Sequence, residues 1–312
     1  MQIRAAIRRI TVAAVSLLLA LSNAHSWQAG QSSSERSAAE QQRGTARISQ
    51  DGRCKTHYAV ESIQAAIDSA VSGDTVAVAA GVYLEQLIVR KSLTLLGTSG
   101  ASETVVRCPD GEFGDTASVV SVFGDVVVVI RGFTFVGGSG VLVGNERIGG
   151  GIYGDPLTRL EINQCIVRNN QANSGGGVFI SGVGSIIRNS TVMKNTSKAD
   201  GDPVAVGGGI CARGDSIVIS GCSILENVLL QSGTHSSGRG GGLYTEGSDI
   251  TVYGNSIVGN QLIASAAGGP FAQAEALGGG VFFMADGRLD SNIIAYNSCD
   301  ASSFAFVSGF AQ

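Results

Sequence analysis

Gly-Gly-Gly-Ile-Tyr at residues 149–153 recurs as Gly-Gly-Gly-Val-Phe at 175–179, Gly-Gly-Gly-Ile-Cys at 207–211, Gly-Gly-Gly-Leu-Tyr at 240–244 and Gly-Gly-Gly-Val-Phe at 278–282. An asparagine stands 19 or 20 positions after the first glycine of each copy: Asn169, Asn195, Asn227, Asn260 and Asn297. The variation in repeat length therefore lies between the asparagine and the next triplet, in connectors of 5, 11, 12 and 17 residues. A recurring segment of nearly constant length is typical of a solenoid.

One such segment is too short to bury its apolar residues alone, so neighbouring segments must stack, about 4.8 Å apart, by parallel strand pairing. We therefore predict an all-β fold, a single-stranded right-handed parallel β-helix, because parallel crossovers are right-handed in about 98% of cases. The asparagines are expected at a corner, where they tolerate left-handed backbone and pass hydrogen bonds between coils. Three positions before each asparagine lies an aliphatic residue. We expect these residues to point into the core and to stack above one another as an inward ladder: Ile166, Val192, Ile224, Ile257 and Ile294.

A second row follows the aliphatic residue of each triplet and is largely aromatic. Strand side chains alternate, so if the aliphatic residue points inward, its neighbour points outward. Exposed rings can stack against sugar faces, which makes this row a candidate ligand-binding surface; the alternative is that the rings pack on one another or beneath the connectors. The candidate ligand-binding residues are Tyr153, Phe179, Tyr244 and Phe282.

The connectors leave one corner of consecutive coils and should stand side by side as a wall of loops. In repeat proteins such a face is often the binding face. Ionisable side chains in these loops are the candidate catalytic group, with solvated loop charges as the alternative. They are Asp200, Asp202, His235, Arg239 and Glu275.

The start of the solenoid is predicted to be closed by a short helix. Apolar residues recur at helical spacing within 61–71, at Ile63, Ala66, Ile67, Ala70 and Val71, before Gly73-Asp74 ends the pattern. Short strands follow. A helix here would cover the first strand edge, which would otherwise invite aggregation.

Residues 1–26 are expected to be a secretory signal peptide, because three arginines precede an apolar run too short to span a bilayer. Residues 27–53 have the composition of a disordered linker, and 54–312 form the predicted β-helix, with its five coils at 149–297. Loss of the signal peptide changes the net charge from −4 to −7, which argues against nucleic acid as a partner. No later stretch is predicted to cross a membrane, so we expect a secreted or cell-surface protein.

The cysteines and recurring acids have structural interpretations. Cys165, Cys211 and Cys222 are expected to be small buried residues, with disulfide bonds as the alternative. Turn formation explains the acids after the triplets better than calcium binding does, and no metal or other cofactor is assigned. These acids are Asp155, Asp215, Asp249 and Asp286.

Ser62-Ile63-Gln64-Ala65-Ala66-Ile67, Gly73-Asp74-Thr75-Val76, Gly81-Val82-Tyr83-Leu84-Glu85 and Leu93-Thr94-Leu95-Leu96-Gly97 together resemble the N-terminal region of pectin lyase-like right-handed parallel β-helix proteins. The later glycine triplets and Ile166-Val167-Arg168-Asn169-Asn170 resemble repeats of bacterial surface proteins, including the polymorphic outer membrane proteins. The resemblance implies the fold and an association with polysaccharides. That family contains lyases, hydrolases, esterases and adhesins, so the fold does not select an activity.

The residues that carry catalysis in the family have no match in this sequence. The Gly81–Glu85 stretch resembles the opening motif of pectin methylesterases, but their later Asp-Phe-Ile-Phe-Gly and Leu-Gly-Arg-Pro-Trp motifs are absent. The polygalacturonase motifs Asn-Thr-Asp, Gly-His-Gly and Arg-Ile-Lys are absent too. The sequence therefore favours an exported protein that binds polysaccharide or another surface polymer. The alternative is a polysaccharide lyase or glycoside hydrolase with its site in the loop wall.

Overall fold

The computed structural model describes residues 56–59, 62–109, 117–201, 204–267 and 272–304. The predicted signal peptide (1–26) and linker (27–53), Cys54 and the candidate Asp202 lie outside these ranges. Among the described residues, strands dominate, and the one helix is α1 (Ile63–Ser69). None of the described helical segments has the length and hydropathy needed to cross a bilayer.

Three parallel strand rows form the body of each coil. Sheet I contains β4 (Leu87–Val89), β7 (Val120–Val122), β12 (Ile152–Gly154), β16 (Val178–Ile180), β20 (Ile210–Arg213) and the first parts of β25 (Leu243–Tyr253) and β29 (Val281–Asp290). Sheet II contains β1 (Thr56–Ala59), β2 (Thr75–Val78), β5 (Leu93–Gly97), β8 (Val127–Arg131), β13 (Arg159–Asn163), β17 (Ile186–Arg188), β21 (Val218–Ser220) and the second parts of β25 and β29.

Sheet III contains β3 (Gly81–Leu84), β6 (Thr104–Arg107), β9 (Thr134–Val136), β14 (Ile166–Arg168), β18 (Thr191–Met193), β22 (Ser223–Leu225), β26 (Ser256–Val258) and β30 (Ile293–Ala295). Like positions pair from coil to coil, as in Ile152 with Val178 and Val178 with Ile210. The aliphatic residues after the triplets point into a core that all three sheets share. The predicted stacking of coils in register is confirmed.

The connectors are strands rather than the loops that we predicted. The outgoing strands form an outer wing sheet: β15 (Gln171–Ala172), β19 (Thr196–Asp200), β23 (Val228–Gly233), β27 (Gln261–Ala267) and β31 (Ser298–Phe304). The two longest connectors return as an inner wing sheet, β24 (His235–Arg239) paired with β28 (Gln273–Leu277). A small core of Ala199, Leu229, Leu262 and Ala264 lies between them. Connectors that start from stacked corners continue the register of the coils, so their backbone pairs instead of looping out.

The remaining strands form an antiparallel hairpin, β10 (Val141–Val143) and β11 (Glu146–Ile148). This hairpin immediately precedes the first glycine triplet. Ile148 pairs with Ser174 of the next coil, so the hairpin lies below the wing.

A buried amide ladder runs along one corner, as predicted, but its first member is Asn170 and not Asn169. Asn170, Asn195, Asn227 and Asn260 are at most 2% exposed. In each step the Oδ1 atom of the upper asparagine accepts hydrogen bonds from the backbone N–H and the Nδ2 of the lower one, at 2.9–3.0 Å. Asn169 has the left-handed φ that we expected of it, but in the later coils this φ belongs to the residue before the predicted asparagine: Lys194, Glu226, Gly259 and Tyr296.

The same one-residue error affects the inward ladder of sheet III. Val167 is fully buried and pairs with Val192, whereas the predicted Ile166 is half-buried and pairs with Thr191. The coil that begins at Gly149 has one residue more than the following coil, in its turn before β13. The pairing shows this, because Ile152 pairs with Val178 but Glu161 pairs with Ile186. Counting from the glycines therefore misplaces everything beyond that turn. At the other end, Ile294 is 47% exposed because it lies on the last described coil.

The predicted capping helix exists, although it is shorter than 61–71. Ser62 is its N-cap, and Glu85 accepts hydrogen bonds from the backbone N–H groups of Ile63 and Gln64 at 2.8 and 2.9 Å. Gln64 in turn bonds both backbone groups of Ile88 on the edge strand β4. Val71, predicted to lie on the buried face, is 63% exposed beyond the end of the helix.

Candidate functional site

The wing meets the outer face of sheet I at a corner closed by a buried apolar cluster, and we call this junction, with the charged side chains beside it, the corner groove. The first glycine of each triplet has a φ of 61–73°, and this left-handed backbone turns the chain sharply from the wing into the sheet. Ile148 and Val206, before the triplets, consequently pack against Tyr153, Phe179, Cys211 and Tyr244, after them. These residues make the floor of the groove.

The aromatic row faces away from the main core, and its rings pack on one another, which was the alternative to their exposure as a ligand-binding surface. Tyr153, Phe179 and Tyr244 are 5%, 6% and 2% exposed. The rings stack along the solenoid axis, with centroids 5.9 Å apart for Tyr153 and Phe179 and 5.8 Å apart for Tyr244 and Phe282. Because the stacking direction is the coil direction, Tyr153 and Phe179 cover one face of each other, as do Tyr244 and the half-buried Phe282.

Cys211 interrupts the aromatic stack. It is fully buried, and burial raises the pKa of its thiol to about 12. Cys165 and Cys222 are buried in the main core, where burial raises each thiol pKa to about 11. The expectation that these three are small buried residues is confirmed, and the described cysteines are all free thiols.

Above the floor, Arg213, Tyr244 and Glu246 form a charged cluster. The Arg213 guanidinium lies 5.5 Å from the centre of the Tyr244 ring, and its Nε is 3.1 Å from Glu246 Oε2. The Tyr244 hydroxyl donates to the same carboxylate oxygen at 2.9 Å. Burial, followed by this hydrogen bond, raises the pKa of Tyr244, so the phenol keeps its proton.

The inner wing sheet supplies the facing wall. The Arg239 guanidinium lies 5.5 Å from the centre of the Phe282 ring, which orients that face of β24 toward the groove. Strand alternation places His235 and Ser237 on the same face as Arg239. Ser237 Oγ donates to Glu275 Oε2 of β28 at 3.0 Å.

The structure thus divides the predicted catalytic group. His235, Arg239 and Glu275 share the groove wall, whereas Asp200 lies on the outer wing sheet, on the face opposite the buried Ala199. Asp200 is bonded there to Ser232 Oγ at 2.9 Å. Among the described residues no hydrogen bond or ion pair joins Asp200, His235, Arg239 and Glu275 to one another.

Sequence reasoning missed Arg213 and Glu246. They stand two positions after Cys211 and Tyr244, so the alternation that defined the aromatic row also places them on its face. The signal was present in the sequence, but neither residue recurs in the other coils.

Two of the acids after the triplets, Asp155 and Asp215, serve the turns between sheets I and II. Asp155 accepts hydrogen bonds from the backbone N–H groups of Leu157 and Gly124 at 2.9 and 2.8 Å, and Asp215 accepts from Ser248 N–H at 2.8 Å. The turn interpretation of these two is confirmed. Within the described ranges, no group of three or more His, Cys, Asp or Glu side chains is placed to hold a metal ion.

Comparison with known proteins gives a family match over the solenoid. A family model described as "right handed beta helix region" matches residues 118–309, more than half of the chain. Together with the strand topology, this confirms the predicted fold and its handedness. No curated protein matches the chain.

Two solved structures of the pectin methylesterase from Aspergillus niger are similar to the chain. The deglycosylated form is 15% identical, with 86% of this chain and 94% of that chain covered and a TM-score of 0.35. The penultimately deglycosylated form is 16% identical, with 81% and 88% covered and the same TM-score. A likeness at this level does not transfer an activity to the corner groove.

Proposed function

The chain belongs to the right-handed β-helix family, and we propose that it binds a polysaccharide in the corner groove without transforming it. One observation carries the proposal: pairing in register places Arg213 beside Glu246 in sheet I and Ser237 beside Glu275 in the inner wing sheet, so polar side chains from successive coils stand side by side in both walls. A chain-like ligand lying along the solenoid axis would meet successive coils about 4.8 Å apart.

The chemistry of the walls supports a sugar ligand. Hydroxyl groups both donate and accept hydrogen bonds, and the groove offers guanidinium donors at Arg213 and Arg239 with carboxylate acceptors at Glu246 and Glu275. The Nε atoms of both arginines are buried and make no hydrogen bond to protein groups in the described residues, although Arg213 is ion-paired. Binding by polar wall residues replaces the ring stacking that the sequence suggested.

The environment of the groove acids argues against hydrolysis. A glycosidase of the usual kind needs two carboxyl groups flanking one bond, one of them protonated. Glu246 is held by Tyr244 and Arg213, and Glu275 is bonded to Ser237. Each carboxylate is therefore already engaged by a neighbouring side chain of the protein.

The proposal is tested by presenting the purified protein to arrays of plant, algal and bacterial polysaccharides. We expect binding to at least one polymer, weakened about tenfold by Arg239→Gln or Glu275→Gln, since each removes one charge-assisted hydrogen bond. Asp200→Asn, on the opposite face of the wing, is the matched control and should bind normally. Absence of binding by a protein with a β-rich circular dichroism spectrum would overturn the proposal.

The same samples separate binding from catalysis. Bound polymers are incubated with the protein, with and without calcium, and assayed for unsaturated and reducing-end products. We expect none. Product formation that is lost in Glu275→Gln would instead assign the groove to a lyase or hydrolase. Export rests on the predicted signal peptide and stays a prediction.

A further inference from the structure

A pocket of about 150 Å³ opens where the hairpin β10–β11 meets the first strand of the outer wing sheet. Its lining residues are Ser139, Arg147, Gln171, Ala172, Asn173 and Lys198. Glu146 and Ile148 flank Arg147 in β11. Ile148 packs in the floor of the corner groove, so alternation directs Arg147 away from that groove and into the pocket.

Two cations and no acid are found among the described residues that line the pocket. Arg147 Nη1 is buried and makes no hydrogen bond to protein within the described residues. No ion pair with a described acid neutralises Arg147 or Lys198. The acid nearest to Lys198 on its own strand face, Asp200, is bonded to Ser232 instead. A buried guanidinium nitrogen without an acceptor is costly, and an oxyanion in the pocket would relieve that cost.

Asn173 holds the two cationic residues in place. Its Oδ1 accepts a hydrogen bond from the backbone N–H of Arg147 at 2.6 Å, and its Nδ2 donates to the backbone carbonyl of Lys198 at 2.7 Å. The Asn173 N–H also donates to the Arg147 carbonyl at 2.7 Å. The hairpin and two successive coils are thereby fixed around the pocket before any ligand arrives.

We propose that this pocket is an oxyanion-binding site, independent of the corner groove, that takes a carboxylate, sulfate or phosphate group. The planar guanidinium of Arg147 can bind two oxygens of such a group at once, and Lys198 adds a mobile point charge at the mouth. Gln171, exposed at the rim, provides an amide donor. The oxyanion could be a free ion or a substituent on a polymer, since both present the same oxygens.

Calorimetric titration of the purified protein with inorganic sulfate, phosphate and acetate, in low-chloride buffer, tests the site. We expect saturable binding of at least one ion, weakened about tenfold or more by Arg147→Gln and by Lys198→Gln. Arg168→Gln on sheet III and Lys194→Gln on the far side of the amide corner are matched controls and should bind normally. Because Lys198 is exposed, Lys198→Gln keeps the test decisive if Arg147→Gln fails to fold.

A second arm distinguishes the source of the oxyanion and the two proposed sites. Sulfated, uronate-containing and neutral polysaccharides are compared for binding to the wild type, Lys198→Gln and Glu275→Gln. If Lys198→Gln loses binding only to the charged polymers, the pocket binds a polymer substituent. If it loses binding only to the free ions, the pocket binds a soluble anion. Sulfate, phosphate and acetate titrations that are non-saturable, or identical in wild type and both pocket variants, would overturn the site while leaving the groove proposal intact.

Discussion

At the residue scale, the order of the stack depends on a few buried polar groups that have no alternative partners. The fully buried Asn227 illustrates this: its Oδ1 accepts from two groups of Asn195, and its Nδ2 donates to Val192 carbonyl and Asn260 Oδ1. Stacked aliphatic side chains tolerate a shift of one coil relative to the next, since the attraction between them is non-directional. The amides are directional, so they fix which position stands above which.

Replacing Asn227 by Ala should lower the free energy of unfolding by about 3 kcal/mol, because it leaves several buried groups of the neighbouring coils without partners. Asn169→Gly is the control, since Asn169 precedes the ladder, has a φ of 55°, and glycine accepts that φ without strain. It should change stability by less than about 1 kcal/mol. Urea denaturation followed by circular dichroism measures both. Equal losses in the two variants would contradict the ladder described here.

From the sequence we predicted a ladder of asparagine amides but assigned its first position to the wrong residue. Two adjacent asparagines, Asn169 and Asn170, occupy that corner, and the interval from the glycines favoured the wrong one. Asn170 is the ladder residue because the turn before β13 contains one extra residue. The strand pairing with the next coil reveals that residue, whereas the sequence interval from the glycines does not. The same reason explains why Ile166 was predicted in place of Val167.

At the element scale, short segments close the edges that parallel stacking leaves open. Helix α1 covers the first coil, and its own ends are satisfied by side chains from the body: Glu85 at the N-terminus, and Lys91 Nζ at the carbonyls of Asp68 and Ala70. A helix of seven residues is unstable alone. Its stability therefore comes from these contacts and from the burial of Ile63 and Ile67.

Removing the carboxyl group with Glu85→Ala should destabilise the protein by about 2 kcal/mol, because the first N–H groups of α1 lose their acceptor. Glu85→Gln retains an acceptor and should cost about half as much. The control is Glu103→Gln, at an exposed position in the turn before β6. Thermal unfolding compares the three variants, and a loss in Glu103→Gln that matches Glu85→Ala would remove the capping explanation.

Elements with a strong local sequence pattern were predictable. Elements whose conformation depends on pairing with an adjacent coil were not. The apolar spacing within 61–71 located α1, but the connectors contain glycine, serine and alanine, which are typical of loops. They become strands because each lies on a paired strand of the adjacent coil, so their conformation is decided between repeats. For this reason the wing, the corner groove and the pocket at the hairpin could not be derived from any single repeat.

At the scale of the whole molecule, the described β-helix is a column in which each coil pairs with the coils before and after it. Stability in such a column is a sum of coil and interface contributions, and interior coils are supported from both sides. The two ends differ here. Ile63 and Ile67 of α1 are buried at the first end, whereas Ile293, Ile294 and Tyr296 of the last described coil are 47–59% exposed.

Two isoleucines in the same ladder test whether interior coils are more stable than the last described coil. Ile224 and Ile294 occupy equivalent positions in sheet III, each aligned through Ile257, but Ile224 is fully buried and Ile294 is 47% exposed. Ile224→Ala should cost about 3 kcal/mol by leaving a cavity between supported coils, whereas Ile294→Ala should cost less than about 1 kcal/mol. Urea denaturation gives the two values. Hydrogen exchange should show the matching gradient, with slow amides in β18 and β22 and fast amides in β30. Equal costs, or uniform protection along sheet III, would mean that the column unfolds as one unit, without the end effect that nearest-neighbour stacking requires.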